Sequence, residues 1–410
     1  MLDPYKIRKD FPMFQNKTKM QKHDLVFFDN ASTTFKPQCV IDAMNFYNEH
    51  ETSNSGRGDY DTMYQVDQAV LETRKAVAKF INADVDEIVF TSGATASLNL
   101  AAFGYFENHL SEDDEILITV AEHASNVLPW FKLQEKTGCK VKYISLTKEG
   151  RLTVENVEKA ITTKTKVISI ANITNVLGYN CDMKSICALA HSKGILVVCD
   201  GAQSVPHTKI DVKDLGVDFL AFSGHKMLGP TGIGVLYGKK ELLKETEPIV
   251  LGGGMNETFE VDGSYVLHPF PAKLEAGTLN LQGIFGLKAA IDYIESIGLD
   301  NIAKYESELR KYAIERMKKL PDIVIYNENA EASIISFNLK GVFAQDLATL
   351  LNSRGIAVRS GNHCAKILKN QINEIATVRA SFYFYNTKEE VDAFVEALKK
   401  GGNFLDAYFA

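Results

Sequence analysis

Tryptophan occurs once in the 410 residues and proline ten times, and no apolar stretch approaches the length that crosses a bilayer. Transmembrane helices are therefore not expected. Residues 1–6 also lack the apolar segment of a secretory signal, so a cytoplasmic protein without a membrane partner is expected. Basic residues (45) are fewer than acidic ones (52), the net charge is -7, and no long basic run interrupts that balance. This argues against a general nucleic-acid binder. The six cysteines, at 39, 139, 181, 187, 199 and 364, show neither a disulfide framework nor C-x-x-C spacing, so neither cystine cross-links nor a metal centre is expected. Internal repeats, low-complexity tracts and a proline-rich linker are missing too, which excludes a solenoid or a string of tethered modules.

What is present is ordinary globular composition, 45% apolar and 24% charged, in a chain long enough for two domains. The pattern predicts a strand over 25–28 and helices over 37–51 and 62–81. Strands and helices then alternate: strands at 87–90, 115–119, 141–144, 167–170, 195–199 and 219–222, with helices near 126–136, after 153 and over 183–192. Continuously apolar strands separated by helices imply a largely parallel sheet covered on both faces. The segments 251–254 and 274–278 read as loops, followed by helices over 283–297 and 301–320. Strands at 333–337, 356–359 and 377–382, with helices over 344–353 and 388–400, form a second, smaller α/β unit. The expected division is an N-terminal segment 1–20 packed on the small domain, a large domain 21–292 and a small domain 293–410.

Ligands in such sheets collect beyond the C-terminal ends of the strands. That is where the polar clusters fall: Thr91-Ser92-Gly93-Ala94-Thr95, His123, Asn175, Asp200-Gly201-Ala202-Gln203 and Ser223-Gly224-His225-Lys226. Taken singly, each also fits a structural role. Ser92 or Thr95 can cap a helix, His123 can be a satisfied buried histidine, Asp200 can cap a turn, and Lys226 can be a surface lysine beside a glycine-rich turn. Glycines 229, 232 and 234 follow Lys226 rather than precede it, which is the wrong order for a Walker loop. A lysine beside an apolar strand end is suited to a Schiff base if its pKa is depressed, and cationic character on His225 would depress it. A phosphate fits the small-residue helix start at Ala94-Thr95. Pyridoxal 5'-phosphate combines an aldehyde, a ring nitrogen and a phosphate, and would use all these clusters together. Lys226 would take the aldehyde, Asp200 the ring nitrogen, and Ala94, Thr95, Ser223 and His225 the phosphate. Gln203 would donate to the ring oxygen, and His123 would lie on the ring face.

The ordered motifs, from Phe28-Asp29-Asn30-Ala31 through Glu122-His123, Asn175-Val176-Leu177-Gly178 and Glu275-Ala276-Gly277-Thr278 to Arg359-Ser360-Gly361-Asn362-His363-Cys364-Ala365 and Arg379-Ala380-Ser381, resemble the SUF-type cysteine desulfurases. These belong to the class V aminotransferase group of fold-type I pyridoxal-phosphate enzymes. The resemblance implies a large domain with a mostly parallel seven-stranded sheet and a small C-terminal α/β domain carrying the persulfide cysteine. It implies conversion of L-cysteine to L-alanine with a persulfide on Cys364, and proton transfers by Lys226 assisted by His123. The substrate would be held by Asn175, Arg379, Ala31 and Arg57. It further implies a homodimer in which Thr278 reaches the neighbouring subunit's phosphate, and delivery of sulfur to a SUF acceptor protein for iron-sulfur cluster assembly. Rival readings are a selenocysteine lyase, an aminotransferase in which Cys364 is no nucleophile, and a non-catalytic sulfur-carrier scaffold. Two positions depart from the family pattern: Asn362 stands where a first histidine is common, and the 56–60 segment keeps Arg57 without flanking histidines.

Overall fold

In the computed structural model, residues 2–56 and 58–399 are described. Seven strands form the large sheet in the order Ile88–Thr91, Gly234–Gly238, Phe219–Ser223, Leu196–Asp200, Thr165–Ala171, Glu115–Thr119, Lys140–Ile144. Gly234–Gly238 runs antiparallel to both neighbours and the other pairs are parallel. Side chains alternate between two apolar cores. Phe219 and Ala221 face one and Leu220 and Phe222 the other, as do Ile116 and Ile118 against Leu117. Burial on both faces is why these strands read as unbroken apolar runs.

The small unit is an antiparallel sheet in the order Ile323–Ile325, Ile334–Leu339, Thr377–Ser381, Arg359–Gly361. The single strand expected over 356–359 is two: Ile356–Ala357 leaves this sheet to pair in parallel with Val26–Phe27, while Arg359–Gly361 stays in it. Val26–Phe27 therefore lies along the small unit. Phe28 sits in the small unit's core against Phe382 and Phe394, although residue 28 was expected in the large domain. Apolar patterning reports burial but not which core accepts the side chain.

The Leu281–Ile297 helix carries Ile284, Leu287, Ile291 and Ile294 into the large core. The chain turns at Gly298, and Leu299–Met317 brings Leu309, Ala313 and Met317 to the small one. The expected division at 292/293 thus falls inside the first helix. Phe11 of the N-terminal segment packs on Tyr293 as well as on Phe384 and Tyr385, and Arg8 pairs with Glu390 at 2.7 Å. The 388–400 helix is seen as Lys388–Lys399, with residue 400 outside the described residues. A hairpin, Asn256–Phe259 with Tyr265–Leu267, was not anticipated. Its signal was Asp262-Gly263, a dipeptide suited to a tight turn because glycine adopts positive φ freely, here 87°.

Candidate active site

One cavity opens where the C-terminal ends of the Thr165–Ala171, Leu196–Asp200 and Phe219–Ser223 strands meet the small unit. Its lining brings together Ala31, Ala94, Thr95, His123, Asn175, Asp200, Gln203, Ser223, His225, Lys226 and Arg379. Sheet register accounts for part of this grouping, since Ala171 pairs with Asp200 and Asp200 with Ala221. Lys226 ends the 3₁₀ turn Gly224–Lys226 directly after its strand.

Burial of the Lys226 amine pulls its pKa down to about 8; Asp200 opposes that shift, while Arg379 and Arg359 reinforce it. The cationic influence comes from these arginines and not from His225, the group the sequence pointed to. Burial, with Lys226 and Lys36 nearby, brings His225 itself down to about 4 and so keeps it neutral near pH 7. Asp200 is buried and its pKa is raised, a shift opposed by the Ala202 N–H at 3.0 Å and by Lys226. His123 is lowered to about 4, first by burial and then by Lys226, Arg359 and Arg379. Its Nδ1 accepts from the Ser125 N–H at 3.1 Å, which leaves the proton of the neutral ring on Nε2.

At the helix start, the Ala94 N–H donates to Ser223 Oγ at 2.8 Å, and Thr95 Oγ1 lies 2.7 Å from Ser125 Oγ. Ser125 was not singled out in the sequence; it sits two residues after His123 and carries no motif of its own. Gln203 Nε2 donates to the Ala31 carbonyl at 2.8 Å, so one donor expected on a ring oxygen is committed to the protein. Lys36, also overlooked, has its pKa lowered to about 8 by burial. With Thr33 and Thr34, it donates to the His225 carbonyl and so fastens the turn that bears Lys226.

Arg379 is 1% exposed and uses its fork on the Asn175 carbonyl (2.9 Å), Asp29 (3.0 Å) and Ser32 (2.9 Å), leaving Nε buried without a partner. Asn175 Nδ2 donates to the His363 carbonyl at 2.8 Å, while its Oδ1 is also unpartnered. Arg359 donates to Ser32 at 3.0 Å and reaches Cys364 Sγ at 3.4 Å, which places the thiol at the rim of the cavity. His363 is turned away from the thiol, with Nε2 on Thr377 and its pKa lowered to about 3, first by burial. Thr278 does not line this cavity. It lines two surface depressions, beside Gly253 and His268 in one and Ile249 and Val250 in the other. Arg57 lies outside the described residues.

A buried amine, a buried carboxylate and a hydroxyl-rich helix start on three walls of one cavity suit the three functional groups of pyridoxal 5'-phosphate. The unpartnered polar atoms of Arg379 and Asn175 are what a polar occupant would satisfy. Charge supports the same fit, since Lys226, Arg359 and Arg379 converge on it without an equal number of carboxylates.

Comparison with known proteins adds an independent line. The Aminotransferase class-V family model matches residues 26–394. A protein named probable cysteine desulfurase from Halalkalibacterium halodurans is 42% identical over 409 residues, covering 100% of both chains. A like-named protein of Staphylococcus aureus is 41% identical over 411 residues, covering 99% of this chain and 98% of its own. Among solved structures, the apo cysteine desulfurase of Thermococcus onnurineus NA1 superposes with a TM-score of 0.92 at 38% identity, covering 98% of each chain. The Escherichia coli cysteine desulfurase CsdA, in an S-sulfonic acid form, gives 0.91 at 35% identity, covering 98% of this chain and 99% of its own.

Proposed function

We infer, from the premise that this chain belongs to the class-V aminotransferase family, that it is a pyridoxal 5'-phosphate-dependent cysteine desulfurase. It converts L-cysteine to L-alanine and takes the sulfur as a protein persulfide, supplying iron-sulfur cluster assembly. The observation that carries this reading is the meeting of a buried, pKa-lowered Lys226 with an accessible Cys364 around one cationic cavity.

When bound, the cofactor supplies an aldehyde that engages amines and a ring that draws electrons from the adjoining carbon. Lys226 is the residue for the aldehyde and Asp200 for the ring nitrogen, with Ala94, Thr95, Ser223 and His225 toward the phosphate. Gln203 fits the ring oxygen through its second amide hydrogen. Arg379 and Asn175, beside the Ala31 backbone, orient the substrate carboxylate, and Arg57, outside the described residues, is assigned to the same task. Lys226 Nζ accepts the proton from the substrate α-carbon and returns one during formation of alanine. His123, neutral with its proton on Nε2, is the second group able to hand over a proton at the ring face. Cys364 attacks the substrate sulfur as thiolate; an S–S bond forms as the substrate's C–S bond breaks, with its electron pair staying on carbon until protonation. Atoms balance as L-cysteine plus enzyme thiol giving L-alanine plus enzyme persulfide.

The finer reading is a cytoplasmic homodimer serving an acceptor protein of the SUF system, without nucleic-acid or membrane partners. Three units, 1–20, a large domain and a small domain carrying Cys364, remain the proposed organisation, with the boundary moved to Gly298. Support for a second copy is the exposed apolar surface of Ile249, Val250, Leu251, Phe259, Val261, Tyr265 and Val266, close in the chain to a Thr278 that has no place in its own cavity. Incubation with L-cysteine tests the activity directly. Alanine and persulfide sulfur should appear one to one, with the persulfide mapped to the Cys364 peptide; alanine without a persulfide at that peptide would overturn the assignment.

A further inference from the structure

Glu122 stands beside His123 in the sequence, yet the mechanism gives it nothing to do. It is 2% exposed, buried among donors, with no salt bridge to a cation among the described residues. Thr119 Oγ1 donates to Oε1 at 2.6 Å, and the Ala171 N–H and Asn126 Nδ2 donate to Oε2 at 2.8 and 2.9 Å. The direction of the Asn126 bond is fixed by its surroundings. Asn126 Oδ1 receives the indole N–H of Trp130 at 3.3 Å and the Ser169 hydroxyl, and because an indole only donates, the Asn126 amide nitrogen must face Glu122. Thr119 Oγ1 accepts the Ala121 N–H at 3.1 Å, leaving its own hydrogen for the carboxylate. Three donors on one group call for a carboxylate rather than an amide.

These donors come from three places that converge on the site. Thr119 ends one strand, and Ala171 ends the next and pairs in register with Asp200. Asn126 closes the Ala124–Asn126 turn, which is capped by His123. That turn also donates the Ser125 N–H to His123 Nδ1 at 3.1 Å and the Ala124 N–H to the Cys364 carbonyl at 2.7 Å. We propose that Glu122 is a positioning residue, bracing the His123 turn against the strand that pairs with Asp200 and so fixing the His123 ring over the cavity. A buried anion without a salt-bridge partner is costly unless its hydrogen bonds are complete, so this brace has one satisfactory geometry. Burial lifts the Glu122 pKa to about 7, helped by the nearby Asp200 charge and opposed by the three donors. Cys181 is a further titratable group near it, and Tyr179 lines the same small cavity.

The inference rests on the role given above to His123, and its test separates the two. In the Glu122→Gln holoenzyme the amide has one oxygen, which can take the Ala171 and Asn126 donors only with its nitrogen facing Thr119, so the Thr119 hydroxyl must turn round to accept and its own hydrogen loses the acceptor it had. The expected result is kcat down about tenfold with KM for L-cysteine within about twofold, a shifted visible band of the bound cofactor, and loss of the Nε2–H preference in the ring-nitrogen NMR shifts of His123. In a double-mutant cycle, Glu122→Gln should change His123→Ala by less than about twofold, because the two act as a unit. An unchanged band with unchanged ring-nitrogen shifts would overturn the proposal, as would a full tenfold loss added on top of His123→Ala. The ring-nitrogen shifts do not depend on turnover. A disturbed tautomer in Glu122→Gln alongside a fully active His123→Ala would therefore sink the catalytic role of His123 while leaving the brace standing. Should Glu122→Gln fail to fold, Thr119→Val removes one donor at nearly constant volume; it should move the same shifts, and Thr119→Ser should restore them.

Discussion

The Lys226 end of the cavity and the Cys364 end differ in how each reactive side chain is held. Lys226 follows a fully buried strand, and its turn is fastened through the His225 carbonyl, which accepts from Thr33, Thr34 and Lys36. Cys364 sits half-exposed on a turn of the small unit where His363 and Cys364 both have positive φ, 51° and 60°. Two consecutive non-glycine residues in that region store roughly 1–3 kcal/mol each. Local bonds hold them there: the Ala365 N–H to the Asn362 carbonyl at 2.8 Å, and the Cys364 N–H to Asn362 Oδ1 at 3.2 Å. Burial lowers the pKa of a lysine, which a nucleophilic amine needs, but raises that of a thiol, as it does to about 12 for Cys187. One chemistry therefore belongs in the core and the other at a rim.

Removing the buried amine is expected to break this comparison most completely. Lys226→Ala should abolish the cofactor's visible band and reduce desulfuration by about 10²–10⁴-fold or more, read by alanine release. Next in size, Cys364→Ser should keep the band and lose persulfide formation by at least ~10²-fold, because the two ends fail independently. Turnover of cysteine to alanine at the native rate in this variant would remove Cys364 from the mechanism. A pH series on the apoprotein sharpens the first half. Only the neutral Lys226 amine is nucleophilic, so the rate of pyridoxal phosphate uptake should rise about tenfold per pH unit below about 8 and level off above it. A lysine with an ordinary pKa would keep rising to about 10.

Six strands of the large sheet were readable in the sequence, most of them because burial on both faces makes an unbroken apolar run such as Ile116-Leu117-Ile118; the edge strand Lys140–Ile144 exposes Lys140 and Lys142, and the glycine-bounded Gly234–Gly238 was not read as a strand. The residues at its strand ends were readable for the same reason, since topology alone puts Asp200 and Lys226 at one edge. What could not be read was pairing decided by tertiary context. Val26–Phe27 has no feature that distinguishes a strand of the small unit from one of the large sheet, and the break at Val358 separates two pairings within one apolar run. Nor could the sequence show that Arg359, rather than His363, is the group against the thiol. Arg359 reaches the thiol from the strand Arg359–Gly361, five residues away, while the adjacent His363 spends its Nε2 on Thr377, and adjacency in sequence does not reveal this.

The smallest effect is expected at Asn362, beside the strained pair. Asn362 uses its side chain to accept the Cys364 N–H across two residues, an arrangement at which asparagine is effective. Its backbone carbonyl closes the same turn on Ala365, so the side chain contributes one of two local restraints on a strained pair. Asn362→Ala should leave cofactor absorbance and folding intact while lowering the rate of persulfide formation by about three- to tenfold, the size expected for one neutral hydrogen bond. Asn362→Ser, which keeps a weaker acceptor, should recover part of that loss. If alanine at 362 is as fast as the native residue in single-turnover measurements, the turn is held by its buried neighbours alone. The Asn175 bond to the His363 carbonyl and the His363 bond to Thr377 would then be what keeps the thiol at the rim.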